Sequence, residues 1–307
     1  MVSVIIPTYN RAEMLRKCVI SVCQNTYKDI EVLIVDNAST DNTQEVIRRC
    51  IDNDNRIHYT KLEVNMMAAG GRNAGIRIAR GEFLLFLDND NIVEKNMIEE
   101  LVIAFSKKKE AGMIGALSLN GDSIWSLGSF YNFWTLRSIN FMGEKPFYKD
   151  EITKEYYQTC LCQNNMMVKR ECIRKIGGFD RQYYAMYEEA DFGYRLCKAG
   201  YKSFFYPKAI THHMGYRADN ENSCLRKYGL ESTKRAFCFA RNRSVFMKKF
   251  APWYCKIFFF LVMIHAFTVF YCMLALKEGR IDIAISWVKG TLSGMFSRVK
   301  NNIYVDI

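Results

Sequence analysis

The 307-residue chain is half hydrophobic and a quarter charged, a balance that allows a sizeable core and excludes wholesale disorder. Its net charge of +11 lies entirely in the last third: residues 1–201 carry 26 basic and 26 acidic side chains, residues 202–307 carry 17 and 6. Such asymmetry points to an acidic partner surface, either nucleic acid or an anionic membrane face. In chain order, the apolar β-branched run 2–6 predicts a strand broken at Pro7. The spacing of Met14, Leu15, Cys18, Val19 and Val22 predicts a helix over 11–24. A strand over 31–35 runs into the polar loop 36–41, where Ser39, Thr40 or Asp41 can cap a helix reaching about residue 51. Strands over 56–60 and 83–87 flank a helix over 71–79. This alternation predicts an α/β fold with a mainly parallel sheet flanked by helices and joined by right-handed crossovers. From about residue 112 the pattern is irregular, with strands over 113–119, 163–168 and 201–206, a helix over 188–199 and a basic helix over 220–250. The eleven cysteines show no paired CxxC sets, and no signal-like segment precedes the run at Val2. Reduced thiols are therefore expected, and zinc is not.

A parallel sheet releases its ligand-binding groups at the carboxyl ends of its strands. Three polar clusters fall at such ends: Pro7-Thr8-Tyr9-Asn10, Asp36-Asn37 and Asp88-Asn89-Asp90. A fourth, Glu188-Glu189-Ala190-Asp191, opens a later helix. Two carboxylates one residue apart are costly to crowd unless a cation neutralises them, and Mg²⁺ or Mn²⁺ carrying phosphate suits hard oxygen ligands. Tyr9 can stack on a planar base, while Asp36 or Asn37 can bond the base or ribose. Taken singly, each cluster also fits a turn, a helix cap or an acidic first helical turn.

The ordered set is more specific. Val4-Ile5-Ile6-Pro7-Thr8-Tyr9-Asn10, Val35-Asp36-Asn37-Ala38-Ser39-Thr40-Asp41, Arg72-Asn73-x-Gly75, Asp88-x-Asp90, Gly177-Gly178-Phe179-Asp180 and Glu188-Glu189-x-Asp191-x-x-x-Arg195 follow one another. Over residues 2–215 this resembles glycosyltransferase family two, the nucleotide-sugar-dependent inverting enzymes of the GT-A fold, and especially its rhamnosyltransferase-like members. The resemblance implies that Pro7, Thr8, Tyr9, Asn10, Asp36 and Asn37 hold the nucleoside, and that Arg72, Asn73, Asp88 and Asn89 meet ribose and phosphate. Asp88 and Asp90 match the DXD metal motif for Mg²⁺ or Mn²⁺, with Asp90 the firmer ligand. Of the doublet His212-His213, His213 is the expected third ligand. Glu189 matches the general base, with Asp191 beside it in the catalytic cluster. Like charges and partial burial are expected to raise the Glu189 pKa. Two departures stand out: many members have two Asp where Asp36-Asn37 stands, and a glycine before Met166, where this chain has Gln163-Asn164-Asn165.

The implied activity is transfer of a single sugar from a nucleotide-sugar donor to a polyprenyl-linked or glycan acceptor, in cell-surface polysaccharide or glycoconjugate synthesis. The expected organisation is a catalytic domain over 1–219 and a basic, apolar helical membrane-associating region over 220–307. Within the latter, 257–276 is a charge-free stretch long enough to cross a bilayer, and 281–296 has helical spacing. One span, an interfacial hairpin and a buried helix of a soluble domain all fit, and His265 is expected to be satisfied by a neighbouring helix. The expected location is the cytoplasmic side of the cell membrane, peripheral or single-span. A sugar-phosphate nucleotidyltransferase is the alternative, but it would carry a Gly-rich basic loop where Pro7-Thr8-Tyr9-Asn10 stands. Nucleic-acid binding is not expected, because the tail aromatics sit in an apolar run rather than among the charges. The aromatics of 125–134 fit either an acceptor groove or a satellite core.

Overall fold

The computed structural model describes residues 1–135, 138–140, 145–146, 152–162, 165–214, 223–299 and 303. Strands β1 (Val2–Thr8) and β2 (Ile30–Asp36) are buried along their whole length, as near-continuous apolar runs demand when both faces of a sheet are covered. They pair in parallel from Val2↔Ile30 to Thr8↔Asp36. β3 (Ile57–Lys61) and β4 (Phe83–Leu87) complete a parallel edge in the order β3-β2-β1-β4. Helices α1 (Ala12–Cys23), α2 (Thr43–Ile51) and α3 (Met67–Ile78) make the crossovers.

Past β4 the sheet becomes mixed. After β5 (Asn91–Val93) and α4 (Met97–Lys107) come β6 (Ala111–Asn120), β7 (Ser123–Ser126), β8 (Ser129–Tyr131), β9 (Ser138–Asn140), β10 (Lys145–Pro146), β11 (Tyr157–Thr159) and β12 (Asn165–Lys169). β12 inserts antiparallel between β4 and β6. Next are α5 (Arg170–Ile176), α6 (Glu188–Lys198) and β13 (Lys202–His213). β13 runs seven residues past the expected end at Tyr206. Its pairing with β6 slips between Tyr206 and Ile210, so Pro207 falls at the irregularity, where a missing N–H is tolerated. One apolar layer packs Leu15, Val19, Ile47 and Leu101 on the sheet, and the other packs Ile76, Phe179, Phe192 and Leu196.

The tail continues with α7 (Cys224–Lys227), α8 (Thr233–Phe250), α9 (Trp253–Lys277, with a single π turn at Phe259–Met263) and α10 (Ile281–Phe296). Ser232 caps α8, accepting from the Arg235 N–H at 3.2 Å. α10 packs closely on α8 through two glycines. A Cβ at Gly290 would stand 2.4 Å from the Phe237 carbonyl oxygen, and one at Gly294 would stand 2.7 Å from that of Arg241. α8 is in turn tied to the sheet half: buried Lys249 pairs with Asp180 at 3.2 Å and with Asp191. Among the described residues one helix, α9, is long and apolar enough to cross a bilayer.

Candidate active site

The site forms where β1, β2 and β4 end and α6 begins. After β1 the chain turns through Asn10 and Arg11, both in the left-handed region at φ 59° and 64°. Such a turn is costly for non-glycine residues and persists only when fixed from outside. Here Ser39 Oγ accepts the Asn10 N–H at 2.7 Å, and Asn10 Oδ1 accepts the Thr40 N–H at 3.0 Å. Tyr9 is left exposed at the lip, while Thr8 is buried and accepts from Asn89 Nδ2 at 2.8 Å. The turn also carries Arg11 to Asp90, Nη1 to Oδ2 at 3.1 Å.

Arg72 is the hub. Only 2% exposed, it donates through a single nitrogen, Nη2, to Asp88 Oδ1 at 2.8 Å and to Glu189 Oε1 at 2.7 Å. Nη1 stands 3.5 Å from Glu188 Oε1. Burial opposes the charge on Arg72, but Glu189, Asp88 and Glu188 outweigh it and raise its pKa. The acidic cluster expected at the head of α6 is thus bridged by an arginine rather than left to mutual repulsion. Burial raises the pKa of Glu188, whose Oε2 is buried without a hydrogen-bond partner.

The head of α6 is aimed by strain. Tyr184, Met186 and Tyr187 take φ values of 62°, 66° and 70° immediately before Glu188. Asn242 Nδ2 from α8 holds this turn through the carbonyls of Tyr183, Ala185 and Met186 at 2.6, 2.7 and 3.1 Å. The result is a cavity of about 1000 Å³. Asp88, Arg72, Glu188 and Glu189 line one part of it, and Phe239, Arg243, Phe267 and Tyr271 from α8 and α9 line another.

Asp90 stands beside this cavity. Burial and then Asp88 push its pKa up, against His213 and Arg11. Its Oδ1 is buried without a hydrogen-bond partner, and His213 Nε2 lies 3.7 Å away, a gap that one small cation with ligand bonds of about 2 Å can bridge. Trp125, which also lines the cavity, stacks on His213 with ring centroids 5.0 Å apart. His212 instead faces Glu94 at 3.2 Å. Among the described residues no three His, Cys, Asp or Glu side chains are arranged to hold a metal ion by themselves. Asp90 and His213 therefore fit a cation whose remaining ligands come from elsewhere, as phosphate-bound Mg²⁺ or Mn²⁺ requires.

Several expected site residues are placed otherwise. Asp191 is fully buried and does not line the cavity: its Oδ2 accepts from Arg195 Nε at 2.6 Å, its Oδ1 from Lys249. Arg195 fastens the preceding loop through the Ile176 and Gly178 carbonyls, so Asp191 anchors α6 rather than handling a proton. Asn73 clamps Phe179 reciprocally, both bonds 2.8 Å, which consumes its amide away from any ribose. Asp36 is fully buried, accepting from the Ser39 N–H at 2.8 Å and from the Tyr59 hydroxyl, and so shapes its loop from within. Asn37 Oδ1 accepts the Met66 N–H at 3.2 Å and sets the start of α3. Gln163 and Asn164 lie outside the described residues. Asn165 accepts from the Ala116 N–H at 3.2 Å between strands.

Sequence reasoning missed Arg11, Asn242 and Arg243. For Arg243 a signal exists: it falls on the apolar stripe Ala236, Ala240, Met247 and Phe250, where a charge is out of place. Burial lowers its pKa, but Tyr187 and Tyr271 beside it prevail and raise it.

A parallel β3-β2-β1-β4 edge continued by antiparallel β12, with an Asp-x-Asp pair at the end of β4, defines the GT-A class of α/β protein. Residues 3–177 match the model of glycosyl transferase family 2, and the chain belongs to that family. A glycosyltransferase named GlyG from Streptococcus pneumoniae serotype 4 is 37% identical over 135 residues, 44% of each chain. The chain thus spans less than half of that relative. An uncharacterized glycosyltransferase of Methanocaldococcus jannaschii, MJ1057, is 26% identical over 88% of this chain and 89% of its own. Among solved structures, GalNAc-T7 with UDP, GalNAc and Mn²⁺ superposes with a TM-score of 0.63 at 18% identity, over 81% of this chain and 48% of its own. The mannosyltransferase PcManGT of Pyrobaculum calidifontis, with GDP-Man and Mn²⁺, gives 0.58 at 15% identity, over 96% and 87%. At those identities the likeness establishes the fold.

Proposed function

We propose that the protein is an inverting glycosyltransferase moving one sugar from a nucleotide-sugar donor to a lipid-linked or glycan acceptor in cell-surface polysaccharide or glycoconjugate synthesis. The observation that carries this reading is that Asp88 and Glu189, 101 positions apart in sequence, share one Arg72 nitrogen at the wall of a single cavity. Tyr9, exposed at the lip, offers a face for the base, and the loops held by Asn10, Asp36 and Asn37 frame the nucleoside. Arg72 has buried Nε and Nη1 groups without hydrogen-bond partners, fit for an incoming phosphate oxygen. Glu189, fixed by Arg72, takes the proton of the acceptor hydroxyl as it attacks the anomeric carbon, and a single displacement inverts that centre. Asp90 and His213 would hold Mg²⁺ or Mn²⁺, which would supply neutralisation of the departing diphosphate. The Mn²⁺ in both solved relatives supports that choice.

A panel of nucleotide sugars, screened by thermal stabilisation and turnover with Mn²⁺, identifies the donor. With that donor, Glu189→Gln is expected to keep binding and lose transfer by roughly 10²–10⁴-fold. Asp90→Asn is expected to lose both Mn²⁺-dependent stabilisation and turnover. Near-normal transfer by Glu189→Gln removes the base assignment, and turnover undiminished in excess EDTA removes the metal.

A further inference from the structure

Arg243 is 5% exposed, and its Nε and Nη1 are buried without hydrogen-bond partners. Among the described residues no carboxylate lies within ion-pair distance of it. Its guanidinium carbon instead sits 4.2 Å from the ring centre of Phe267 and 4.8, 5.5 and 5.7 Å from those of Phe239, Tyr271 and Trp287. Aromatic faces offset part of the cost of a buried cation and the Tyr187 and Tyr271 hydroxyls lie beside it, but Nε and Nη1 remain unsatisfied. A guanidinium fork held this way lacks an oxyanion.

The cavity it lines has two ends of different chemistry. The donor diphosphate, on the reading above, belongs to the Asp88–Asp90 end. The Arg243 end is bounded by Ala266, Phe267, Phe270 and Tyr271 of α9, with Arg235 also on the wall. Arg235 spends its Nε on the Gly229 carbonyl at 2.9 Å and on Glu231 at 3.0 Å, which leaves Arg243 as the arginine at this end with no carboxylate partner among the described residues. An anion reaching this place must tolerate an apolar helix beside it. A phosphate joined to a hydrocarbon chain does; a nucleotide base stacks on aromatic rings too, but on the reading above it is placed at Tyr9 with its diphosphate at the Asp88–Asp90 end.

We propose that Arg243 is the binding site for the phosphate of an amphiphilic acceptor, whose hydrocarbon chain leaves along α9 and whose sugar hydroxyl is presented to Glu189. This rests on the glycosyltransferase reading and narrows it from lipid-linked or glycan acceptors to a lipid phosphate or diphosphate.

The test measures binding, so it stands apart from turnover. Farnesyl diphosphate, farnesol and inorganic pyrophosphate are titrated against the full-length protein by calorimetry, with UDP and GDP plus Mn²⁺ in parallel. Farnesyl diphosphate is expected to bind more tightly than either fragment. Arg243→Met is expected to weaken it roughly ten- to hundredfold, the usual loss for a charge-assisted hydrogen-bonded contact, with nucleotide affinity unchanged. Equal affinity in wild type and variant overturns the proposal. So does pyrophosphate binding as tightly as farnesyl diphosphate, or a variant that loses the nucleotide instead. If Arg243→Met does not fold, Arg243→Lys keeps the charge without the planar fork: a partial loss supports the site and unchanged affinity refutes it. Nucleotide binding that fails in every protein, with farnesyl diphosphate still bound through Arg243, sinks the donor reading and leaves this site standing.

Discussion

Asn242 lies outside the cavity and nevertheless decides where Glu189 points. Its amide nitrogen is shared among three carbonyls of a turn in which Tyr184, Met186 and Tyr187 all hold positive φ. A turn strained at three side-chain-bearing residues relaxes once its outside clamp is removed. Asn242→Ala is therefore expected to destabilise the protein by about 1–3 kcal/mol through the abandoned carbonyls. It is also expected to lower kcat for transfer while leaving nucleotide affinity intact, because the lip at Tyr9 and Asp90 is built from other elements. Urea denaturation together with a kcat and KM comparison decides it. A variant of unchanged kcat shows that the head of α6 keeps its aim without the clamp. The same contrast separates Glu189 from Asp191: two residues apart at the start of α6, one faces the cavity and the other is sunk in a pair of cations, since successive helical positions point in different directions.

Among the elements, the parallel edge was the most legible part of the chain. Runs such as 2–6 and 83–87 are apolar without alternation because both faces of those strands are covered, and polar loops closed each of them in the sequence. The strand-end clusters followed from the same pattern, and the pairing of Asp88 with Glu189 through Arg72 agrees with it. What stayed hidden depends on contacts distant in sequence. Asn73 and Asp36 look like ligand-facing polar groups until Phe179 and Tyr59 arrive to occupy them. The extent of β13 is set by its partners β6 and β5, not by its own composition. The seam between α8 and α10 shows only as Gly290 and Gly294, four residues apart on one helical face. Gly290→Leu would drive a side chain into the Phe237 carbonyl, and the helices must separate to admit it. The expected cost is about 1–3 kcal/mol, read as a lower denaturation midpoint, with α9 loosened alongside because Tyr271 packs on Trp287 at 4.1 Å. An unchanged midpoint contradicts this close crossing.

For the whole molecule, the seam constrains any way in which α9 could meet a membrane. α9 is about 37 Å long, enough to cross a hydrocarbon core of about 30 Å. Yet it lies against α10, which lies on α8, whose Asn242 and Lys249 are locked into the catalytic half. A spanning α9 would draw α10 and the basic helix α8 into the bilayer with it. The outer face of α9 carries Trp253, Ile257, Leu261, Val269, Met273 and Leu276, with His265 exposed among them rather than satisfied by a neighbouring helix. A mid-helix imidazole on the lipid face is unfavourable in hydrocarbon and tolerable at headgroup depth. On the membrane-associated reading, the hairpin is expected to lie in the interface, its lysines and arginines toward anionic headgroups. Vesicles of phosphatidylcholine with and without phosphatidylglycerol test this. Binding is expected to require the anionic lipid, to weaken with salt, and to fall at least about tenfold when Leu261 and Met273 are both replaced by Glu, a change that leaves the buried face untouched. Alkaline carbonate should strip the wild type from cell membranes. Retention after carbonate, with the double variant still bound, would instead mean that α9 crosses the bilayer and that the packing of α8 on α10 opens in the membrane-bound protein.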